Sequence, residues 1–266
     1  MLDQITPVVL TYNEAPNIGR NLERLRWARE VVVLDSGSDD DTAAIVGGFA
    51  NSRLVVRRFD GHARQWTYAV QETGVSTPWV LRLDADYIVP EATIDEIAGL
   101  RPADEIGGYR TAFDYKIDGR RLRGSLYPPL PTLFRRDRVT FEQDGHTEKA
   151  VVAGTVPTLA GRIDHDDRKG LDRWLASQFA YQRREADKLA TTPWSALPWG
   201  DRVRLTRVLG PPAVFLYCLF GKGLILDGRA GLFYACQRAT ADLILSMLLL
   251  RRDLAAAPAE PPSFGR

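Results

Sequence analysis

The chain has 266 residues, 45% of them apolar, enough for one large domain or a domain with an appendage. Its 35 Lys and Arg against 34 Asp and Glu leave a formal charge of +1, which excludes a broadly basic nucleic-acid binder, and 26% charged residues exclude wholesale disorder. Two cysteines, Cys218 and Cys236, cannot build a disulfide framework or a cysteine zinc site, and they fit a reduced, cytosolic setting. The opening MLDQITPVV shows no basic stretch followed by an apolar one, so nothing in it suggests secretion.

In chain order, Thr6–Thr11 reads as a strand, and Pro16 opens a helix with Ile18, Leu22 and Leu25 at helical spacing. Glu30–Asp35 (EVVVLD) reads as a buried strand, followed by a Ser/Gly/Asp loop and a helix near Thr42–Phe49. Leu54–Phe59 is a third strand, Arg64–Glu72 a helix, and Trp79–Asp84 (WVLRLD) a fourth strand. Strands alternating with helices predict βαβ units, an α/β fold with a mostly parallel sheet, and ligands outside the carboxyl ends of the strands. Beyond residue 100 the pattern changes. Tyr109, Thr111, Phe113 and Tyr115 alternate as in a half-buried strand, and two short β runs follow around Thr132–Arg135 and Val139–Glu142. These predict a mixed extension of the sheet, and a polar helix follows from Lys169 to about Leu189. The Trp/Pro-rich segment Pro193–Gly200 marks a linker, and APAEPPSFGR is a Pro-rich tail expected to be disordered. The expected organisation is a catalytic domain over 1–190, a helical extension over 191–253 and a tail over 254–266.

Two features at strand ends point to chemistry. Asp35 closes one hydrophobic strand, and Asp84-Ala85-Asp86 closes another. In extended backbone Asp84 and Asp86 project to one side, about 7 Å apart. Two carboxylates at a sheet's carboxyl edge suit a hard divalent cation shared with substrate phosphates. Taken alone, D-x-D is a common surface tripeptide; its place at the end of a buried strand is what singles it out.

The blocks VVLTYNEAPNIGRNLERL, VVVLDSGSDDDT and WVLRLDADYIV together resemble the three signature blocks of family 2 glycosyltransferases with the GT-A (Rossmann-like) fold. Within that family the chain is most similar to the lipopolysaccharide-core and cell-envelope glucosyltransferase-like branch, over roughly residues 5–190 and more loosely beyond. The resemblance implies an inverting transfer from a nucleotide-diphosphate sugar, UDP-linked, to a glycolipid or lipid-linked saccharide. It places Thr11, Asn13 and Glu14 along the nucleotide pocket, with Asp35 accepting a hydrogen bond from base or ribose. Asp84 and Asp86 would hold Mg2+ or Mn2+ against the diphosphate, Asp84 and Ala85 lying also toward the ribose, and His165 in IDHDDR would complete the metal shell. Asn13 and Glu14 have a second reading as caps of the helix at Pro16.

Arg64, in GHARQ, or Arg82 offers a guanidinium to phosphate, and an exposed solvated ion pair is the competing use of Arg64. Transfer also needs a carboxylate to take the acceptor's proton. The stretch FEQDGHTEK supplies Asp144 and Glu148, neither in the intact H-E or E-D pair of relatives. A gapless match to the H-E form places Glu148 at the Glu, and both residues stay open as the base.

Trp199–Asp253 holds eight Lys or Arg and four Asp, a net +4, so the rest of the chain carries −3. Two apolar stretches lie among these charges. Val208–Phe220 is short and broken by Gly210-Pro211-Pro212, while Gly231–Leu250 holds Gln237, Arg238 and Asp242. Helices lying in the headgroup interface, flanked by Arg202, Arg204, Arg207, Arg251 and Arg252, are expected, on the cytoplasmic face of the inner membrane. The competing use of the same helices is packing on the catalytic domain or at a homodimer interface. Two other functions fit the sequence less well. A sugar nucleotidyltransferase would carry a Gly-rich basic loop after its first strand, where this chain reads TYNEAPN; a non-catalytic sugar-nucleotide-binding membrane protein would lack the metal carboxylates.

Overall fold

Val31–Asp35 is buried at every position, so both faces of that strand are covered. Val31 and Val33 pack into one apolar core and Val32 and Leu34 into another, one on each side of the sheet. The computed structural model describes residues 1–144 and 147–256. They divide into a unit Met1–Gly170 and a second unit beginning at Leu171.

The first unit runs β1 (Ile5–Thr11), α1 (Ile18–Glu23), β2 (Val31–Asp35), α2 (Thr42–Gly47), β3 (Ser52–Val56), α3 (His62–Gln71), β4 (Trp79–Asp84), β5 (Tyr87–Ile88) and α4 (Glu91–Gly99). It continues through β6 (Gly108–Ile117), β7 (Arg120–Arg121), β8 (Leu130–Arg135), β9 (Val139–Asp144), β10 (Thr147–Val152) and β11 (Thr158–His165). One sheet has the order β3-β2-β1-β4-β8-β6-β11-β5, with β7 paired to β6. Strands β1 to β4 pair in parallel, as do β6 and β11, while β8 and β5 join antiparallel. The mixed, mostly parallel α/β sheet flanked by helices is therefore present. Strands β9 and β10 form a separate two-stranded ribbon.

The differences from the sequence reading have local causes. Register against β2 fixes β3 at Ser52–Val56, earlier than the apolar run 54–59, and Arg57 turns out to pair with Asp60. Helix α1 starts at Ile18 rather than at Pro16, and Asn13 caps nothing: its φ of 56° and its bonds to the 38–39 loop hold it elsewhere. Helix α4 and the return strand β10 were not anticipated. The Asp144-Gly145 pair, a hairpin-turn signal, marks the latter.

The second unit contains α5 (Leu171–Thr191), α6 (Trp199–Arg204), α7 (Gly210–Leu216) and α8 (Gly228–Ala256). The boundary expected at 190 moves to 170, because polar helix α5 packs against α8 and belongs with it. Ala186, Leu189, Leu197, Leu245 and Leu249 form the unit's core. Asp242 is buried and meets Arg204 at 3.3 Å, so the polar seam of α8 turns inward. Arg207 pairs with Asp253 and Arg252 with Asp187, so those two flanking arginines already have carboxylate partners within the protein. The segment Leu224–Ala255 is long and apolar enough to cross a bilayer, although core helices of soluble proteins pass the same test, and under half of its most apolar window is buried. Leu216, Tyr217, Phe220, Ile225 and Leu226 stand exposed at the α7–α8 corner, and Leu243, Met247 and Leu250 along α8. The tail 257–266 lies outside the described residues, and α8 extends through residues 254–256.

Candidate active site

The carboxyl edge of β2, β1 and β4 brings three predicted residues side by side: Thr11 is in register with Asp35, and Leu10 with Asp84. The Asp35 carboxylate accepts the Ser38 N–H at 2.8 Å, the Gly37 N–H at 3.1 Å and the Ser38 hydroxyl. Asn13 donates its N–H to Ser38 Oγ, and its side-chain oxygen accepts the Asp39 N–H. The loops after β1 and β2 are thus laced into one wall. The Thr11 hydroxyl is buried at that wall with no hydrogen-bond partner among the described residues.

The chain reverses after Asp86, and β5 pairs antiparallel with β11, His165 opposite Tyr87. That pairing sets His165 Nε2 3.2 Å from Asp86 Oδ2 across a long sequence separation. Asn21 of α1 donates to the carbonyls of Asp84 and Tyr87, bracing the turn from within the core. Tyr87, Tyr115 and Tyr127 surround the His165 ring, with centroids 5.3, 4.6 and 4.8 Å away. Ala85 is buried and its methyl belongs to the core, so only its backbone can face a ligand.

Glu14 lies next to this cluster. Its carboxylate accepts hydrogen bonds from Lys169 Nζ at 2.5 Å and Asn17 Nδ2 at 2.8 Å. Burial, with Asp86 adding to it, raises the Glu14 pKa to about 7 against the opposing pull of Lys169. Asn17, Lys169 and Asp167 were missed in the sequence. An Asn just before the helix that begins at Ile18, and a Lys four residues after His165, are the signals that would have found them.

The electrostatics fit a cation. Burial, then the Asp86 charge, pushes the Asp84 pKa up. Burial works the same way on Asp86, but His165 and Lys169 outweigh it and hold Asp86 at about 2. Burial lowers the His165 pKa, and the Asp86 charge more than reverses that, leaving it raised. Two crowded carboxylates and an imidazole whose buried Nδ1 has no partner suit Mg2+ or Mn2+ as a donor set. Among the described residues no three such groups gather closely enough to hold an ion unaided, so the remaining ligands would be substrate oxygens.

A pH prediction follows for the metal-free protein. A raised His165 pKa contributes stability that is full below 6.5 and lost as pH rises through the folded value. The lowered Asp86 pKa contributes stability present above 3.8 and lost as pH falls toward about 2. With EDTA present, His165→Gln should therefore lower Tm more at pH 5.5 than at pH 9. An equal loss at both pH values would contradict the pairing.

The two base candidates differ in setting. Asp144 is exposed on β9. Glu148 on β10 has a buried side chain ion-paired with Arg82, and its other oxygen lies 3.8 Å from His62 Nδ1. His146 lies outside the described residues. Arg64 is not brought to the site: its side chain is 75% exposed and reaches Asp60 at 3.9 Å.

This strand-edge cluster sits within a matched sequence profile. Residues 7–171, more than half of the chain, match Glycosyl transferase family 2, and the chain belongs to that family; it is a glycosyltransferase. Over nearly its whole length it is similar to the lipopolysaccharide core biosynthesis glycosyltransferase LpsC of Rhizobium meliloti (strain 1021). The two are 27% identical over 270 residues, spanning 96% of this chain and 95% of that one. An uncharacterized glycosyltransferase of Rickettsia felis is 32% identical over 97 residues, 36% of this chain and 33% of that one. Among solved structures, S. aureus TarS 1–349 is similar at a TM-score of 0.46 and 14% identity, over 98% of this chain and 95% of that chain. Glucosyl-3-phosphoglycerate synthase from Mycobacterium tuberculosis, in complex with Mn2+, UDP and phosphoglyceric acid, is similar at 0.47 and 18%, over 73% and 80%. Likenesses at these scores assign nothing to particular residues.

Proposed function

We propose that the protein is an inverting transferase that moves a sugar from a nucleotide-diphosphate donor, UDP-linked, to a glycolipid or lipid-linked saccharide of the cell envelope. The observation that carries this is the β5–β11 pairing, which sets His165 against Asp86 beside Asp84 at the carboxyl edge of the parallel strands. Similarity to a lipopolysaccharide core glycosyltransferase over almost the full chain supports the envelope acceptor.

In this reading the nucleoside lies along the wall made by Thr11, Asn13 and Asp35. Asp84, Asp86 and His165 would hold Mg2+ or Mn2+, which when bound would offset charge on the departing diphosphate. The acceptor oxygen attacks the anomeric carbon as the bond to the diphosphate oxygen breaks, and the acceptor's proton passes to Glu148. One displacement inverts that carbon. The first test is thermal shift across a panel of nucleotide sugars with Mn2+. A donor at 100 times its Kd should add about 2.7 kcal/mol of stability, and no shift with any donor would refute the reading.

The second unit serves, in the same proposal, to seat the enzyme peripherally on the cytoplasmic face of the inner membrane. The exposed apolar and aromatic residues at the α7–α8 corner, with exposed Arg229 and half-buried Lys222 beside them, combine apolar and aromatic groups with basic ones, as interfacial helices do. The full chain should float with phosphatidylglycerol vesicles and lose that binding on Phe220→Glu/Leu226→Glu double substitution. Unchanged flotation of the double variant would exclude this corner as the contact.

A further inference from the structure

We propose that Arg82 is a positioning residue that anchors Glu148 from the main sheet and fixes which way its carboxylate faces. The inference rests on the reading of Glu148 as the base. Sequence alone offers Arg82 to a phosphate; in the structure its guanidinium is paired with a buried carboxylate instead.

The observations are geometric. Glu148 sits on the β9–β10 ribbon, which among the described residues shares no strand pairing with the nine-stranded sheet and meets it through side chains, Val139 and Ala150 packing into the core that holds Phe134 and Trp66. Arg82 sits on β4, two residues before Asp84, inside the main sheet. Its guanidinium lies over the fully buried Trp66 ring at 4.7 Å and directs Nη2 at Glu148 Oε1. The indole supports the flat face of the cation while its edge donates, an arrangement that Lys cannot reproduce. With Oε1 occupied, Oε2 is left on the His62 side as the oxygen to receive a proton.

Removing one partner of a buried ion pair is destabilising, because the other charge is left uncompensated. A purely structural Arg82 would therefore affect Tm and not the pH dependence of turnover. The test uses the full chain, UDP-glucose as probe with Mn2+, and hydrolysis to glucose and UDP as the readout, on Arg82→Met, Arg82→Lys and Glu148→Gln. Arg82→Met should lower kcat about 100-fold with little change in KM and shift the acid limb of the kcat–pH profile upward, because the base loses its cation. Arg82→Lys should regain part of kcat and move that limb back. Wild-type kcat and pH profile in Arg82→Met, with Glu148→Gln inactive, would overturn the inference and leave the base reading intact. Full activity of Glu148→Gln would overturn both. Loss of kcat in Arg82→Met with no shift of the acid limb would show a structural role and also overturn the inference.

Discussion

Glu148→Gln is expected to lower kcat by about 100- to 10,000-fold while leaving the donor KM nearly unchanged. That range is what a positioned general base contributes, and a loss confined to kcat marks a group used only in the transition state. Gln keeps the size of Glu and can still accept a hydrogen bond from Arg82, so the fold should survive and Tm should show it. Asp144→Asn is the paired control. Asp144 is exposed at the end of β9, where substitutions usually change stability by about 0.5 kcal/mol or less, and its turnover should match wild type. The reverse pattern, with Asp144→Asn inactive and Glu148→Gln active, would move the base to the other side of the hairpin.

Asp86→Ala is expected to lower Mn2+-dependent donor hydrolysis by about 100- to 1,000-fold, the scale on which removal of one transition-state electrostatic contact acts. It should also abolish the rise in Tm that Mn2+ gives with UDP present, a readout independent of turnover. The substitution removes the charge that contributes most to raising the His165 pKa, and leaves Asp84 without the neighbouring charge that raises it. Titration of His165 by NMR in the metal-free variant should accordingly move toward lower pH. Equal hydrolysis rates and equal Mn2+ shifts in wild type and Asp86→Ala would reject the metal assignment.

Much of the proposed donor half of the site is legible because it lies in contiguous sequence. Asp35 and Asp84 each end an apolar run whose length and both-sided burial mark a parallel strand, and such strands present their terminal polar residues at one edge. Arg64 was not placed by the same means. Its position near a helix start says nothing about which way a surface guanidinium turns, and the structure points it to Asp60. The loop-rich stretch 116–131 contributes Tyr127 to the His165 surround, a contact with no sequence periodicity behind it.

Composition and periodicity by themselves determined an α/β chain with carboxylates at strand ends, and a basic, apolar C-terminal segment hidden under a net charge of +1. They did so because burial on a strand or helix has a short repeat that a linear sequence records. Tertiary structure alone decided three matters: that His165 meets Asp86, that Arg82 is paired with Glu148, and that Asp242 of the last helix turns inward to Arg204. Each joins residues tens of positions apart through strand register or helix packing. Such pairings depend on which elements become neighbours, and no local repeat encodes that choice.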